Sequence, residues 1–137
     1  MANDELLKMC ADKGGVLGVE AAPHTTVTKN NQEQSIETVM EHFEYIKDLV
    51  GVDCVGFGPD ALYGDHFALH HVYSSHLSME KAYHMGKVEE VEYVKGMENP
   101  TEASWNIIRW LVKHGYSDED IQKVVGGNVL RVLKEVW

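Results

Sequence analysis

The sequence predicts an α/β fold in which two short parallel strands alternate with several helices. Two apolar runs, Val16–Val19 and Val52–Phe57, lack polar alternation, which indicates strands buried on both faces. Each run follows a helical segment, and the order helix, strand, helix, strand favours parallel pairing through right-handed crossovers. The second run leads through Gly58-Pro59 into a lone carboxylate, Asp60. Parallel sheets of enzymes place their chemistry at this edge, so Asp60 is the first candidate site residue.

The segment before each strand has the signals of a capped helix. Asn3 or Asp4 can cap a first helix that ends at Gly14-Gly15. Ser35 can cap a second helix, which Gly51 closes. The apolar residues of the second helix recur at three- and four-residue steps and define one face: Ile36, Val39, Met40, Phe43, Ile46 and Val50.

Three more helices are predicted after residue 98. Asn99 caps the first, with Pro100 in its first turn and Glu102 three residues after the cap. Ser117 opens the next helix, Gly126-Gly127 breaks it, and a last helix follows. The residues expected to face inward are Ile107, Ile108, Leu111, Val112, Ile121, Val124 and Val125. The tryptophans Trp105, Trp110 and Trp137 are interpreted as packing residues.

Composition and charge exclude several classes of partner. The chain has 137 residues, 44% of them apolar, and a formal net charge of −10. A surface of this sign repels phosphate backbones and anionic lipids, so we expect no nucleic acid and no membrane as partners. Cys10 and Cys54 lie far apart without a CxxC motif, which favours a reducing cytoplasm, and Cys54 is expected to be a small core residue.

Two parallel strands are too few for a balanced sheet. Parallel strands are normally covered on both faces inside larger sheets, and an open strand edge is a template for further pairing. Residues 61–98 form a long excursion that holds five of the eight histidines. Such a long connection is uncommon unless it is functional or disordered. Either further strands lie within this excursion, or the two strands are part of a larger sheet, and we favour the second alternative.

Three segments resemble, in order, the C-terminal third of the membrane (renal) dipeptidases. These are zinc peptidases of the amidohydrolase superfamily, and bacteria have cytoplasmic relatives. The segments are GGVLGVEAAP, EHFEYIKDLVGVDCVGFGPD and GMENPTEASWNIIRWLVKHGYSDEDIQKVVGGNVLRVL. The ending GYSDEDIQKVVGGNVLRVL is the most specific part, and the resemblance is weakest over residues 25–34 and 61–95.

The resemblance implies the C-terminal part of a (β/α)8 TIM-type barrel. Val16–Glu20 would be its seventh strand and Val52–Phe57 its eighth. Such barrels need roughly 250 residues, so 1–137 would be a single partial domain with a long active-site-side insertion at 61–98. The family's two zinc ions are held by the first, third, fifth and sixth strands. Their ligands are therefore expected outside this chain.

The resemblance assigns a role to Asp60 alone. The family's matching acidic residue lies beside the bridging water and the substrate's amino group, so Asp60 is predicted to be both catalytic and substrate-binding. The family commonly has Phe-Asp-Gly after this residue, whereas Ala61-Leu62-Tyr63-Gly64 follows it here. The second carboxylate is displaced to Asp65 or missing. His42 matches a family histidine on the helix before the last strand, and Tyr45 replaces a second one.

A histidine-rich stretch offers a weaker metal candidate. His66 and His70 are spaced four residues apart, which would place them on one helix face in the spacing that suits zinc. No glutamate follows His66 as the hydrolytic base of zinc peptidases would. A His-rich loop or interface is the simpler interpretation. His42 is likewise interpreted as a satisfied core or interface histidine, and Asn128 as a residue that satisfies backbone groups at a helix turn.

Three hypotheses follow. The first is the C-terminal part of a zinc-dependent dipeptidase that cleaves the amide bond of dipeptides and is inactive alone, because a single carboxylate cannot hold the metal. The second is a non-catalytic α/β module that self-associates or completes a sheet with another chain. The third is a small metal-binding protein built on His66, His70 and His71. The partner expected is accordingly a second copy, as a homo-oligomer, or the missing N-terminal part of the barrel.

Overall fold

The computed structural model describes residues 3–23, 25–65, 68–69, 72 and 91–137. Within these residues, helices and strands alternate as the sequence predicts. The elements are α1 Asp4–Asp12, β1 Leu17–Val19, α2 Ile36–Val50, β2 Val55–Phe57, α3 Pro100–Lys113, α4 Asp118–Gln122 and α5 Asn128–Val136. A 3-10 helix, Val52–Cys54, precedes β2, and a π-helical turn, Lys123–Gly127, joins α4 to α5.

The two strands pair in parallel, which confirms the predicted α/β class. Leu17 lies opposite Val55, Gly18 opposite Gly56, and Val19 opposite Phe57. The carboxyl ends of both strands therefore lie at the same edge, and the segments that follow them are neighbours.

The predicted strand over Val52–Phe57 is wrong in its first half. Val52–Cys54 is a 3-10 helix, in which the Cys54 amide donates to the Gly51 carbonyl at 3.3 Å. The Asn128 amide donates to the carbonyl oxygens of Val52 and Val55, each at 2.8 Å. Cys54 lies in this turn and is partly exposed, so it is not the core residue that the apolar run suggests. The role predicted for Asn128 is confirmed.

The core lies between the sheet and α2. Val39, Met40 and Phe43 on the predicted face of α2 are completely buried, and the Phe43 ring stacks on Phe57 with centroids 5.0 Å apart. Val55 of β2 and Leu111 of α3 are also completely buried in the same cluster. Full burial of such a side chain contributes about 1.5–3 kcal/mol, so this face fixes α2 against the strands.

The helices begin at the cap residues that the sequence predicts, but one of these residues makes no capping hydrogen bond. The Asn3 side chain accepts a hydrogen bond from the Glu5 amide at 2.9 Å, and the Asn99 side chain accepts from the amides of the first turn of α3. Ser117 caps α4 in the same way. Ser35 occupies the cap position of α2, but its side chain makes no capping hydrogen bond.

Several residues expected to pack inward are exposed. Val112 follows the buried Leu111 by one position, which turns it about 100° around the helix, and it is 61% exposed. Val125 is 46% exposed for the same reason beside Val124. Trp105 and Trp137 are exposed, so the prediction that they are packing residues is wrong. Trp110 is partly buried, and its indole N–H donates to Glu37 at 2.8 Å.

Candidate functional site

Asp60 lies just beyond the carboxyl end of β2. Its backbone has φ of 52°, in the left-handed region, and it is the one non-glycine residue with positive φ among those described. Asp tolerates this conformation better than most residues, because its short polar side chain can bond locally. The residue is exposed, so its carboxylate is accessible at the edge of the sheet where the sequence predicts a site.

Three segments form a cleft around Asp60. The first follows β1 and contributes Ala21 and Pro23, and the second follows β2 and runs from Asp60 to Gly64. The third comes from the far end of the long excursion. Its lining residues are Glu92, Tyr93, Val94, Met97 and Glu98. The sequence pattern did not connect this third segment with Asp60.

The lining of the cleft is acidic. Asp60, Glu92 and Glu98 supply three carboxylates, and no lysine, arginine or histidine is among the described lining residues. Glu98 is partly engaged, since its side chain accepts a hydrogen bond from the Gly96 amide at 2.7 Å. A cleft of this charge favours a cationic group such as an ammonium over an anion.

Backbone pairing holds the third segment in place. The Lys95 amide donates to the Gln34 carbonyl at 2.9 Å, and the Ile36 amide donates to the Lys95 carbonyl at 2.9 Å. These bonds form a parallel bridge between Ser35 and Lys95. Val94 and Met97 anchor the segment in the core, where they are 1% and 2% exposed. We call residues 91–98 the wall of the cleft. Val94 and Met97 are apolar residues in a polar stretch, and this pattern is the signal by which the sequence could have revealed the wall.

The segment after β1 is also held by α2. Ala21, Ala22 and Pro23 are buried, although they lie in a loop. The Nε2 atom of His42 lies 2.8 Å from the carbonyl oxygen of Thr26, to which it donates. His42 therefore acts as a satisfied histidine that ties this loop to α2. Within the described residues, the buried hydroxyl of Thr26 has no hydrogen-bond partner.

Of the remaining sequence candidates, the two that the structure describes, Asp65 and Tyr45, are not among the residues that line the cleft. His66, His70 and His71 lie outside the described residues. Asp65 is exposed, and its carboxylate accepts a hydrogen bond from the Ala68 amide at 2.9 Å. Tyr45 donates to Asp4 of α1 at 2.8 Å, and this hydrogen bond raises the pKa of the Tyr45 phenol.

The described residues do not form a metal site. Among them, no group of three His, Cys, Asp or Glu side chains is placed to hold an ion. The three carboxylates of the cleft are therefore not arranged as the three or four ligands that bind zinc in proteins. In the same part of the chain, no helix combines the length and the apolar character required to traverse a bilayer.

This chain matches the model of a known protein family and is similar to several curated proteins. The family model for membrane dipeptidase (peptidase family M19) matches residues 2–76 and 88–137. Curated relatives include dipeptidase aclJ of Aspergillus oryzae, 27% identical, and dipeptidase tcpJ of Claviceps purpurea, 24% identical; both alignments cover 97% of this chain. The chain spans 25% of the length of each of these relatives.

Two solved structures share the fold. An amidohydrolase from Pseudomonas aeruginosa is 30% identical with a TM-score of 0.76, and the match covers 99% of this chain and 40% of that one. A metallopeptidase described as dipeptidase AC, of family M19, is 19% identical with a TM-score of 0.66, over 99% of this chain and 32% of that one. The two-strand, multi-helix arrangement described above is therefore part of a larger known architecture in both.

Proposed function

The chain belongs to the membrane dipeptidase family, peptidase family M19, and from this premise we propose that it is the C-terminal part of a metal-dependent dipeptidase. In this proposal, β1 and β2 are the seventh and eighth strands of a (β/α)8 barrel. The parallel pairing of the strands and the similarity to the Pseudomonas aeruginosa amidohydrolase support this placement. The substrate class is dipeptides, as the names of the curated relatives suggest.

The position of Asp60 is the observation that carries the proposal. Active sites of barrels of this type lie at the carboxyl ends of the strands, and Asp60 is the accessible carboxylate at that end of β2. The acidic lining around it suits the free ammonium group of a dipeptide. We propose that Asp60 binds this ammonium or accepts a proton from the water that attacks the amide carbonyl.

The metal is expected to be held elsewhere. The family is one of metallopeptidases, and we propose two zinc ions whose ligands lie outside the described residues, since these residues do not form a metal site. When bound, the zinc would supply an activated water. The free thiols of Cys10 and Cys54 support a reducing, cytoplasmic compartment as part of the same proposal.

The first experiment uses the chain alone. We expect no dipeptide hydrolysis by the isolated chain with added zinc, because Asp60 alone cannot hold the ion. Turnover by the isolated chain that disappears in Asp60→Asn would overturn the proposed inactivity.

The second experiment restores the barrel. This chain would be fused to the Pseudomonas aeruginosa amidohydrolase in place of the region that it matches, and dipeptide hydrolysis would be measured with zinc. We expect activity, and a loss of about 100-fold or more in kcat for Asp60→Asn. Glu135→Gln, which removes an exposed carboxylate from α5, is the control and should be unchanged. A folded fusion in which Asp60→Asn retains full activity would contradict the role of Asp60.

One observation favours a second candidate function. Within the described residues the sheet has only two strands. A non-catalytic module that self-associates through its open edges would explain this arrangement without chemistry. Light scattering separates the candidates, because a monomer at micromolar concentration excludes stable self-association.

A further inference from the structure

The cleft beside Asp60 is narrow. The volume that is open to the centre of a water molecule is about 10 Å³, which is about what one water molecule requires. A methyl group is close to a water molecule in size, whereas the side chains of leucine and phenylalanine are several times larger. The cleft therefore has room for one small group.

Most of the described lining is apolar. It includes alkyl side chains and one aromatic ring: Ala21, Ala61, Leu62, Val94, Met97 and Tyr93. A polar side chain of a ligand would lose its water there and gain few hydrogen bonds in return. An acidic side chain would in addition be repelled by the carboxylates of Asp60, Glu92 and Glu98. Size and lining together favour a small, uncharged group.

Part of the lining is fixed by the core. Ala21, in the segment after β1, is 4% exposed, and Val94 and Met97 of the wall are 1% and 2% exposed. The Asn106 side chain donates to the Gly96 carbonyl at 2.8 Å, which holds the wall against α3. Because close-packed interiors resist displacement, a ligand cannot enlarge the cleft by moving these residues.

Tyr93 is the large lining side chain that the core does not hold. It is the largest residue of the described lining and is 48% exposed. Its neighbour in the wall, Val94, is buried, and Leu62 is partly buried. Truncation of Tyr93 would therefore widen the cleft without leaving a cavity in the core.

We propose that Tyr93 restricts the substrate to dipeptides whose ammonium-bearing residue is glycine or alanine. This inference rests on the proposed function, in which Asp60 binds the ammonium group. With the ammonium about 3 Å from the Asp60 carboxylate, the Cβ atom of the same residue lies within about 6 Å of that carboxylate. Its side chain then enters the cleft, where the ring of Tyr93 excludes groups larger than methyl.

The first test measures binding to the full chain and does not depend on hydrolysis. Alaninamide and leucinamide each carry an ammonium beside the side chain. NMR shifts of the Ala61 and Tyr93 amides, followed as either compound is added, give the two dissociation constants. We expect alaninamide to bind at least about tenfold more tightly, because a fitted pocket discriminates by tenfold or more per methylene. Equal binding of the two compounds, or binding of neither, overturns the inference.

Three variants assign the restriction to the ring of Tyr93. Tyr93→Ala should bring the two dissociation constants within about twofold, since the obstacle to the larger side chain is gone. Tyr93→Phe keeps the ring and should retain the preference for alaninamide. Tyr45→Ala is the matched control, because Tyr45 is also 48% exposed but does not line the cleft, and it should retain the preference too. Circular dichroism confirms that each variant folds.

Two results with these variants would contradict the role of Tyr93. One is a preference for alaninamide that persists in Tyr93→Ala. The other is a preference that disappears equally in Tyr45→Ala, since this would show that the selectivity does not come from the cleft.

The fusion with the Pseudomonas aeruginosa amidohydrolase separates this inference from the proposed function. With zinc, we expect kcat/KM to be at least about tenfold higher for alanylglycine than for leucylglycine, and Tyr93→Ala to remove the difference. Equal hydrolysis of both dipeptides supports the proposed function and contradicts the size limit. Selective binding of alaninamide by the chain, without hydrolysis of either dipeptide by a folded fusion, supports the size limit and contradicts the proposed function.

Discussion

At the scale of single residues, one polar cluster couples α2 to the turn after α3. Tyr116 donates a hydrogen bond to Glu44, and Lys47 forms an ion pair with the same carboxylate. The Lys47 ammonium also lies over the Tyr116 ring, 5.6 Å from its centroid. Burial, followed by the hydrogen bond to Glu44, raises the pKa of Tyr116 to about 12. The hydrogen bond to Glu44 is the largest cause that raises the pKa of Lys47.

Because of this cluster, the free energy of unfolding is expected to fall at alkaline pH. The unfolded chain loses the phenol proton near its ordinary pKa of 10.0, whereas the folded chain keeps it to about 12. The stabilisation is therefore fully present below about pH 10 and is lost as the pH rises toward about 12. In urea unfolding at about pH 9 and about pH 11, the wild type should lose more stability than Tyr116→Phe. Equal losses in the two proteins would show that the Tyr116 phenol is not the group responsible.

A second prediction at this scale concerns Asn128. Asn128→Ala leaves the carbonyl oxygens of Val52 and Val55 without their side-chain donor, and Asn128 is 4% exposed. We expect the free energy of unfolding to fall by about 2–3 kcal/mol, since buried unsatisfied carbonyls carry a desolvation cost. Asn30→Ala, at an exposed loop position, is the control and should change it by less than about 0.5 kcal/mol. Chemical denaturation of the two variants checks this difference.

At the scale of elements, the wall of residues 91–98 depends on Gly96. Its φ is +84°, and a Cβ atom there would lie 3.1 Å from a methyl carbon of Ile36. Its carbonyl accepts a hydrogen bond from the Asn106 side chain at 2.8 Å. This glycine therefore allows the bridge between Ser35 and Lys95 to form beside α2.

Comparison of two glycines separates backbone strain from steric clash. Gly115, which follows α3, has a φ of +79°, but nothing lies within 4 Å of its would-be Cβ. Gly115→Ala should cost about 1 kcal/mol for the positive φ alone. Gly96→Ala should cost about 1–2 kcal/mol more, because Ile36 must shift. Thermal unfolding measures the loss of stability in each variant. An equal loss in both would show that the close packing of Gly96 against Ile36 does not add to the cost of the substitution.

The elements also show what the sequence could and could not predict. The apolar face of α2 was predictable, because Val39, Met40 and Phe43 repeat at helical spacing. The 3-10 turn at Val52–Cys54 was not, and the side chain that bonds to its Val52 carbonyl belongs to Asn128, 76 residues away in the sequence. The wall formed by residues 91–98 was missed for a similar reason, since its bridge to Ser35 is a contact between distant segments. Local spacing of apolar residues predicts helices. The segments that bond to a strand lie far away in the sequence, so local spacing does not predict them.

At the scale of the whole molecule, the proposed barrel would account for the small sheet. The described residues supply two parallel strands, and 99% of the chain matches 40% of a longer amidohydrolase. The acidic cleft at the carboxyl ends of the strands would then open into the active site of that barrel. Asp60 was identifiable from its place after an apolar strand, but its neighbours Glu92 and Tyr93 required the fold.

A crystal structure of the fusion with the Pseudomonas aeruginosa amidohydrolase, soaked with a non-hydrolysable dipeptide analogue, tests this account most directly. The measured quantity is the distance from the Asp60 carboxylate to the ligand. We predict an oxygen-to-nitrogen distance of about 3 Å to the free ammonium, or a similar oxygen-to-oxygen distance to the attacking water. A bound analogue with Asp60 outside the cavity, or with β1 and β2 not parallel, would contradict the account.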